Sequence, residues 1–234
     1  MTCFSKTTVA ILTGGQGKRL RSVVYNRPKV LAEVNGKYFL SYLFDYLIDT
    51  GFKHVILCTG YLGDQIKMVY GETYGSLQLA YSQESFPLGT AGALRLAESY
   101  FKSDSILVMN GDSIYLSDLN LFWIWHKNQE RDASVLLTQV PDIKRFGQVL
   151  TDNQCKVIRF EEKGDNVGTG WINSGIYIID RALIKEIPEN KIISLENEIF
   201  PSWIDKKFYG FKSKGRFIDI GIPESYAEAK NFFA

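Results

Sequence analysis

The chain has 234 residues, 45% hydrophobic and 23% charged, with a formal net charge of +1. That is the profile of a globular protein able to bury a substantial core, and it leaves no basic excess for neutralising nucleic-acid phosphates. No apolar run approaches the roughly 20 residues that cross a bilayer, and Met1 to Lys6 lacks the layout of a signal peptide, so a cytoplasmic protein that contacts no membrane is expected.

Thr8-Val9-Ala10-Ile11-Leu12 is an apolar, partly β-branched run that reads as a buried first strand. It leads into Thr13-Gly14-Gly15-Gln16-Gly17-Lys18-Arg19-Leu20. Three glycines in four residues leave amide N–H groups unobstructed and permit positive φ, which is how a chain wraps a phosphate. Lys18 and Arg19 add positive charge beside it. The same stretch also reads as a tight turn with two solvated cations. A Walker A loop is excluded, because Arg19 follows Lys18 where Ser or Thr is needed. A dinucleotide fingerprint is excluded as well, because position 20 is Leu20 where a glycine is needed.

Asn26-Arg27-Pro28-Lys29 is a turn ending in a cation. Apolar residues at Phe39, Leu43, Tyr46 and Leu47 predict a helix over 38–50 that stops before Gly51. A strand is predicted at 55–59, a helix at 63–70, a strand at 77–81, a helix at 89–100 and a strand at 105–109. Strand and helix alternate here, which implies right-handed crossovers, a mainly parallel sheet and a three-layer α/β/α sandwich. The second half changes character. A helix at 119–128 precedes strands at 133–140, 147–151, 156–161 and 172–179, which suggests antiparallel hairpins appended to the core. Strands at 207–211 and 216–218 and a helix from Pro223 close the chain. The reading is one domain over 1–234, with a nucleotide-facing half (about 1–130) and a half that completes the site (about 131–234).

Cys3, Cys58 and Cys155 are odd in number and widely spaced, as suits free thiols in a reducing cytosol. His54 and His126 lie in no metal-ligand spacing, which argues against a zinc site or a histidine triad and places both at a surface or strand edge. The aromatic run Phe122-Trp123-Ile124-Trp125 reads as core or as an interface, and a homodimer is left open.

In an open α/β sheet ligands bind at the carboxyl ends of the strands. Asp112 follows one such end in Asn110-Gly111-Asp112, and Asp219 ends another, beside Gly221. Facing a phosphate loop, each is a magnesium-ligand candidate, although a turn residue and a helix cap are the plain alternatives. The glycine-punctuated Pro87-Leu88-Gly89-Thr90-Ala91-Gly92 suits packing against a flat base, and Glu84 suits the N1 and N2 edge of guanine. Lys163 offers a cation to a sugar phosphate, and Glu161 and Asn173 offer groups to hydroxyls.

Taken in order, Gly14 to Leu20, Pro28-Lys29, Leu88 to Gly92, Asn110 to Asp112, Glu161-Glu162-Lys163, Asn173-Ser174-Gly175 and Asp219 to Glu224 resemble the sugar-1-phosphate nucleotidyltransferase family over nearly the whole chain. Within it, Arg21 to Val24, Val34 to Lys37, Thr59 to Gly63 and Pro87 to Thr90 are similar to the D-glycero-α-D-manno-heptose 1-phosphate guanylyltransferases. Two departures stand out. Lys18 replaces the family threonine, and Pro28-Lys29-Val30 replaces Pro-Lys-Pro.

The resemblance implies a Rossmann-like nucleotidyltransferase fold and transfer of GMP from GTP to a heptose 1-phosphate, releasing pyrophosphate, for bacterial surface polysaccharide. Mannose-1-phosphate guanylyl transfer, glucose-1-phosphate thymidylyl transfer and a weakly active regulatory subunit are the alternatives. It further implies that Leu12, Gly14, Gly15, Gln16, Gly17, Lys18 and Arg19 bind the nucleotide, with Gly14 to Gly17 and Arg19 on the triphosphate, and that Glu84, Gly89 and Thr90 meet the base. Lys29 would neutralise the α-phosphate, with Arg19, Lys29 and Asp112 the catalytic set. Asp112 and Asp219 would hold Mg2+, and Gly147, Glu161, Lys163 and Asn173 the sugar phosphate. The family's C-terminal β-helix, and with it an acyltransferase activity, is not expected.

Overall fold

In the computed structural model, which describes residues 4–128, 131–161 and 168–234, the first strand β1 (Thr8–Leu12) lies at the centre of the main sheet. Its side chains alternate between two cores: Val9 and Ile11 join one apolar cluster and Ala10 joins the other, on the opposite face. A strand covered on both faces needs an uninterrupted apolar run, which is what this stretch is.

The strand pairs in parallel with β2 (His54–Thr59) on one side, and β3 (Leu77–Gln83) continues the sheet beyond it. On its other side it pairs in parallel with β4 (Ser105–Asn110). Helix α1 (Phe39–Thr50) buries Phe39, Leu43 and Leu47, α2 (Gly63–Tyr70) follows β2, and α3 (Gly89–Leu96) follows β3. The helix expected over 89–100 tightens to a 3-10 turn at Ala97–Tyr100. A short strand β5 (Ser113–Leu116) and helix α4 (Leu119–Lys127) lead into the second half.

There the expected appended hairpins are instead a continuation of the same sheet. Strand β6 (Ala133–Val140), β7 (Gln148–Thr151), β8 (Val157–Glu161), β9 (Gly170–Asp180) and β10 (Phe208–Lys212) all belong to it; with the two-residue edge strand Thr73–Tyr74, antiparallel to β3, the sheet has ten strands among the described residues. The long β9 makes this possible. One edge pairs with β6; the other pairs with β4 over Ile176–Asp180 and touches β7 at Ile172. Mixed pairing lets an antiparallel lobe grow directly from a parallel core, so no second sheet is needed. Helix α5 (Arg181–Glu186) follows β9, and a one-turn π-helix occupies Leu195–Ile199. Strand β11 (Arg216–Asp219) pairs antiparallel with β5, and α6 (Pro223–Phe232) ends the chain. Among the described residues no helix is long and apolar enough to cross a membrane.

Three smaller expectations are revised or settled. His126 is buried on α4 and not at a surface: its Nδ1 meets Ser134 Oγ at 2.9 Å, and burial lowers its pKa. Phe122 and Trp123 of the aromatic run lie in the core. Cys58 is buried, its thiol pushed up to about 12 by loss of solvation, and Cys3 lies outside the described residues.

Candidate active site

Two cavities open at the carboxyl ends of the central strands. The first, of about 510 Å3, is lined by Leu12, Gly14, Gly15, Gln16, Gly17 and Lys18 on one side and by Glu84, Pro87, Gly89, Thr90 and Ala93 on another, with Lys29, Asn110 and Asp112 between. The second, of about 560 Å3, is lined by Arg19, Asn110, Phe146, Gly147, Phe160, Glu161, Asn173, Ser194, Glu196, Asn197 and Pro201. Asn110 lines both. The sequence-predicted nucleotide residues other than Arg19 therefore line the first cavity, whereas Arg19 lines the second with Gly147, Glu161 and Asn173. Lys163 lies outside the described residues.

The three loop glycines do different things. Gly17 has φ +59°, a left-handed conformation that side chains resist, and Leu20 N closes a turn onto its carbonyl. Gly14 is tight for a Cβ, which would lie 3.0 Å from Glu84 Oε1 and 3.3 Å from Gly60 N. At Gly15 a Cβ would meet nothing within 4 Å, so its missing side chain leaves open cavity. No helix follows the loop; Lys18 and Arg19 sit in exposed turns.

Gly111 brings the acidic turn against this loop. Its N–H donates to Leu12 O at 2.9 Å, and a Cβ there would press on that same oxygen. Asp112 consequently lies beside Lys29, which opens a 3-10 turn over Lys29–Leu31, and the two form an ion pair. Burial opposes ionisation of Asp112, but the Lys29 ammonium, with Arg19 behind it, overrides this and holds the carboxyl below its ordinary value.

Asp219 reaches the same place from the far end of the chain. It sits opposite Ser113 in the β5–β11 ladder, and Ile220 N donates to Asp112 O at 2.9 Å. Its pKa is raised, first by burial and further by Asp112, although Arg145 opposes the rise. Arg145 donates to Asp219 Oδ1 at 3.1 Å and Oδ2 at 3.2 Å. Two carboxylates that disfavour each other's charge form a hard, oxygen-donor pair suited to a divalent cation. Among the described residues no cluster of three metal-ligating side chains occurs, so further ligands would have to come from substrate phosphates or water.

On the other wall, Glu84 is half-buried with a raised pKa, because burial outweighs the hydrogen bond that Leu88 N donates to its Oε2 at 2.9 Å. Thr90 lines the same cavity. Its hydroxyl donates to Glu196 Oε2 at 2.9 Å and accepts from Leu195 N at 2.7 Å, clamping α3 to the π-helical turn. The hydroxyl is thus occupied within the protein, and only the remainder of the residue faces the cavity.

Arg145, Asn110 as a side chain, and Glu196 were not singled out from the sequence. Arg145 stands two residues before Gly147, an available cue. Glu196 lies in a single π turn, which has no periodicity to detect.

Residues 8–234 match a family model described as Nucleotidyl transferase. The chain is 39% identical over 221 residues to a D-glycero-alpha-D-manno-heptose 1-phosphate guanylyltransferase of Aneurinibacillus thermoaerophilus, covering 94% of this chain and 95% of that protein. It is 33% identical over 220 residues to a mannose-1-phosphate guanylyltransferase of Mycobacterium tuberculosis, covering 92% of this chain but only 61% of that one. The crystal structure of HddC from Yersinia pseudotuberculosis complexed with GMP-PN superposes with a TM-score of 0.88 at 35% identity, over 97% of this chain and 100% of that one.

Proposed function

The chain belongs to the nucleotidyl transferase family, and from that premise we propose that it transfers GMP from GTP to a sugar 1-phosphate, D-glycero-α-D-manno-heptose 1-phosphate by preference, releasing pyrophosphate. The observation that carries the reading is the placement of the Lys29–Asp112 pair. It lines a cavity walled by the glycine loop, and that cavity shares Asn110 with a second one lined by polar side chains. The similarity to heptose and mannose guanylyltransferases supports the substrate pair.

The reaction is an in-line displacement. A phosphate oxygen of the sugar 1-phosphate attacks the α-phosphorus of GTP, one P–O bond forms, and the bond to the bridging oxygen of pyrophosphate breaks. Such chemistry is largely positioning and charge stabilisation, with no covalent nucleophile required. Backbone amides of Gly14 to Gly17 and the charges of Lys18 and Arg19 receive the triphosphate. Lys29 holds Asp112 ionised and offers its ammonium to the α-phosphate. Glu84 accepts from the guanine N1 and N2 edge, beside the small surface of Pro87, Gly89 and Ala93. Gly147, Glu161 and Asn173 hold the sugar.

Asp112 and Asp219 would hold Mg2+, which when bound supplies positive charge against the α-phosphate. The fit rests on the chemistry of the two carboxylates and on the raised pKa of Asp219. We place the reaction in the cytoplasm.

The test is pyrophosphate release measured across four nucleoside triphosphates and a panel of sugar 1-phosphates, with and without magnesium. Selective turnover with GTP and a manno-configured sugar 1-phosphate is expected. Turnover with no pair would overturn the assignment.

A further inference from the structure

Beneath the two cavities runs a polar network on β9. Tyr177 is fully buried, and its hydroxyl has three neighbours. Asn173 Nδ2 donates to it at 2.7 Å, it donates in turn to Glu196 Oε1 at 3.4 Å, and Asn110 is the third neighbour. Glu196 is also bonded by the hydroxyls of Thr90 and Ser194.

A carboxylate only accepts, so the Tyr177 proton is committed to Glu196 and Asn173 must turn its NH2 group toward the tyrosine. For Asn173 the remaining oxygen accepts from Gly175 N at 2.8 Å. For Asn110 it accepts from nothing: Oδ1 is out of water and has no hydrogen-bond partner. An unsatisfied buried carbonyl costs on the order of 1–3 kcal/mol, so the position calls for a reason.

The backbone around Asn110 is shaped to keep it there. Pairing of β9 with β6 shifts register between Asn173 and Tyr177, and Gly175 at that irregularity has φ +80°. A Cβ on Gly175 would lie 2.9 Å from Asn110 Nδ2 and 3.0 Å from Asn110 Cβ. The bulge therefore makes space for the Asn110 side chain, and for the Ser113 hydroxyl beside it, at the junction of the cavities.

Resting on the transferase reading above, we infer that Asn110 Oδ1 is a specificity-determining acceptor for the C2 hydroxyl of the sugar 1-phosphate. The oxygen needs a donor, which a phosphate does not carry and a sugar hydroxyl does. Asn110 lies two residues before Asp112, at the phosphate end of the sugar cavity, and the hydroxyl adjacent to an anomeric phosphate is the one on C2. The χ2 torsion of asparagine is broad and soft, so a small turn of the amide presents the oxygen to the cavity.

The test compares kcat/KM of wild type, Asn110→Ala and Asn110→Ser on the accepted sugar 1-phosphate and on its 2-deoxy counterpart. Wild type should lose about 10- to 100-fold on the deoxy compound, because a site built to bond a hydroxyl is left unpaired without it. Asn110→Ala should lose a similar factor on the hydroxylated substrate and discriminate little between the two. Asn110→Ser guards against a folding defect in the alanine variant, and it should discriminate less than wild type.

Equal discrimination by wild type and both variants would overturn the inference. So would a change confined to 2′- or 3′-deoxynucleotides, which would place the acceptor on the ribose. Failure of the parent reading is recognised separately, as absence of wild-type turnover with any sugar 1-phosphate.

Discussion

The Lys29 ammonium meets the Asp112 carboxylate across 83 residues of sequence, between the glycine loop and the end of β4. Each side chain is partly shielded from water, so neither charge is well served alone. Asp112→Ala should leave the protein folded and lower turnover by on the order of 10²-fold or more, as for removal of a major electrostatic stabiliser. Lys29→Met should lower kcat more than it raises the KM for GTP, because its charge is needed most in the transition state. Steady-state kinetics on the two variants separate these outcomes. A rise in KM alone at Lys29 would assign it to ground-state binding.

Asp219 behaves oppositely to Asp112. Its carboxyl is raised in the fold by burial and by Asp112, so the native state binds its proton more readily than the unfolded chain does. Its ionised form therefore costs stability at neutral pH, and the cost fades as pH falls through the raised value. Asp219→Asn should raise Tm at pH 7.5 in the absence of divalent cations by about 2 °C or more, while lowering activity by at least about 10²-fold. Added magnesium should stabilise wild type and leave the variant nearly unmoved. Thermal melts with and without the cation, at pH 5 and 7.5, check both signs.

Gly15 and Gly17 should fail in different ways. A methyl at Gly15 meets no protein atom within 4 Å, so Gly15→Ala should keep its Tm and raise the KM for GTP about tenfold by intruding on the triphosphate. Gly17→Ala forces a side chain into the left-handed region and should cost roughly 1–2 kcal/mol of stability. Denaturant melts paired with nucleotide titrations distinguish them. Loss of stability at Gly15 would mean that the space there belongs to the protein and not to a ligand.

Glu84 is raised above its ordinary value by burial, so it takes up a proton at a higher pH than a solvated glutamate does. A protonated Glu84 loses acceptor capacity toward guanine. The kcat/KM for GTP should therefore fall as pH drops through that value. Glu84→Gln should flatten this limb and reduce the preference for GTP over ATP by about 10- to 100-fold. Unchanged base preference in the variant would remove Glu84 from guanine recognition.

Much of the fold is legible in the chain because its local signals agree with the tertiary result. The alternation of apolar runs and helical spacing up to Asn110 places β1, β2, β3 and β4 and helices α1 and α2 nearly to the residue. The second half was harder to read. Several strands in succession looked like appended hairpins, because nothing local reveals that β9 is shared between β6 on one edge and β4 and β7 on the other. The burial of His126 is not legible locally, because it depends on Ser134 and the sheet packed against α4.

By itself, the order of residues determined which chemical groups exist and which strand ends carry them. The glycine loop and Asp112 follow the carboxyl ends of two strands, where an α/β sheet presents its ligands, and Asp219 ends a third. Only the folded chain decided who faces whom. It set Lys29 on Asp112, brought Asp219 opposite Ser113 and gave it Arg145, and closed the Thr90 hydroxyl onto Glu196. Local sequence limits a residue's backbone, whereas charge pairing, desolvation and an unsatisfied oxygen such as that of Asn110 arise from neighbours brought in by strand pairing over tens of residues.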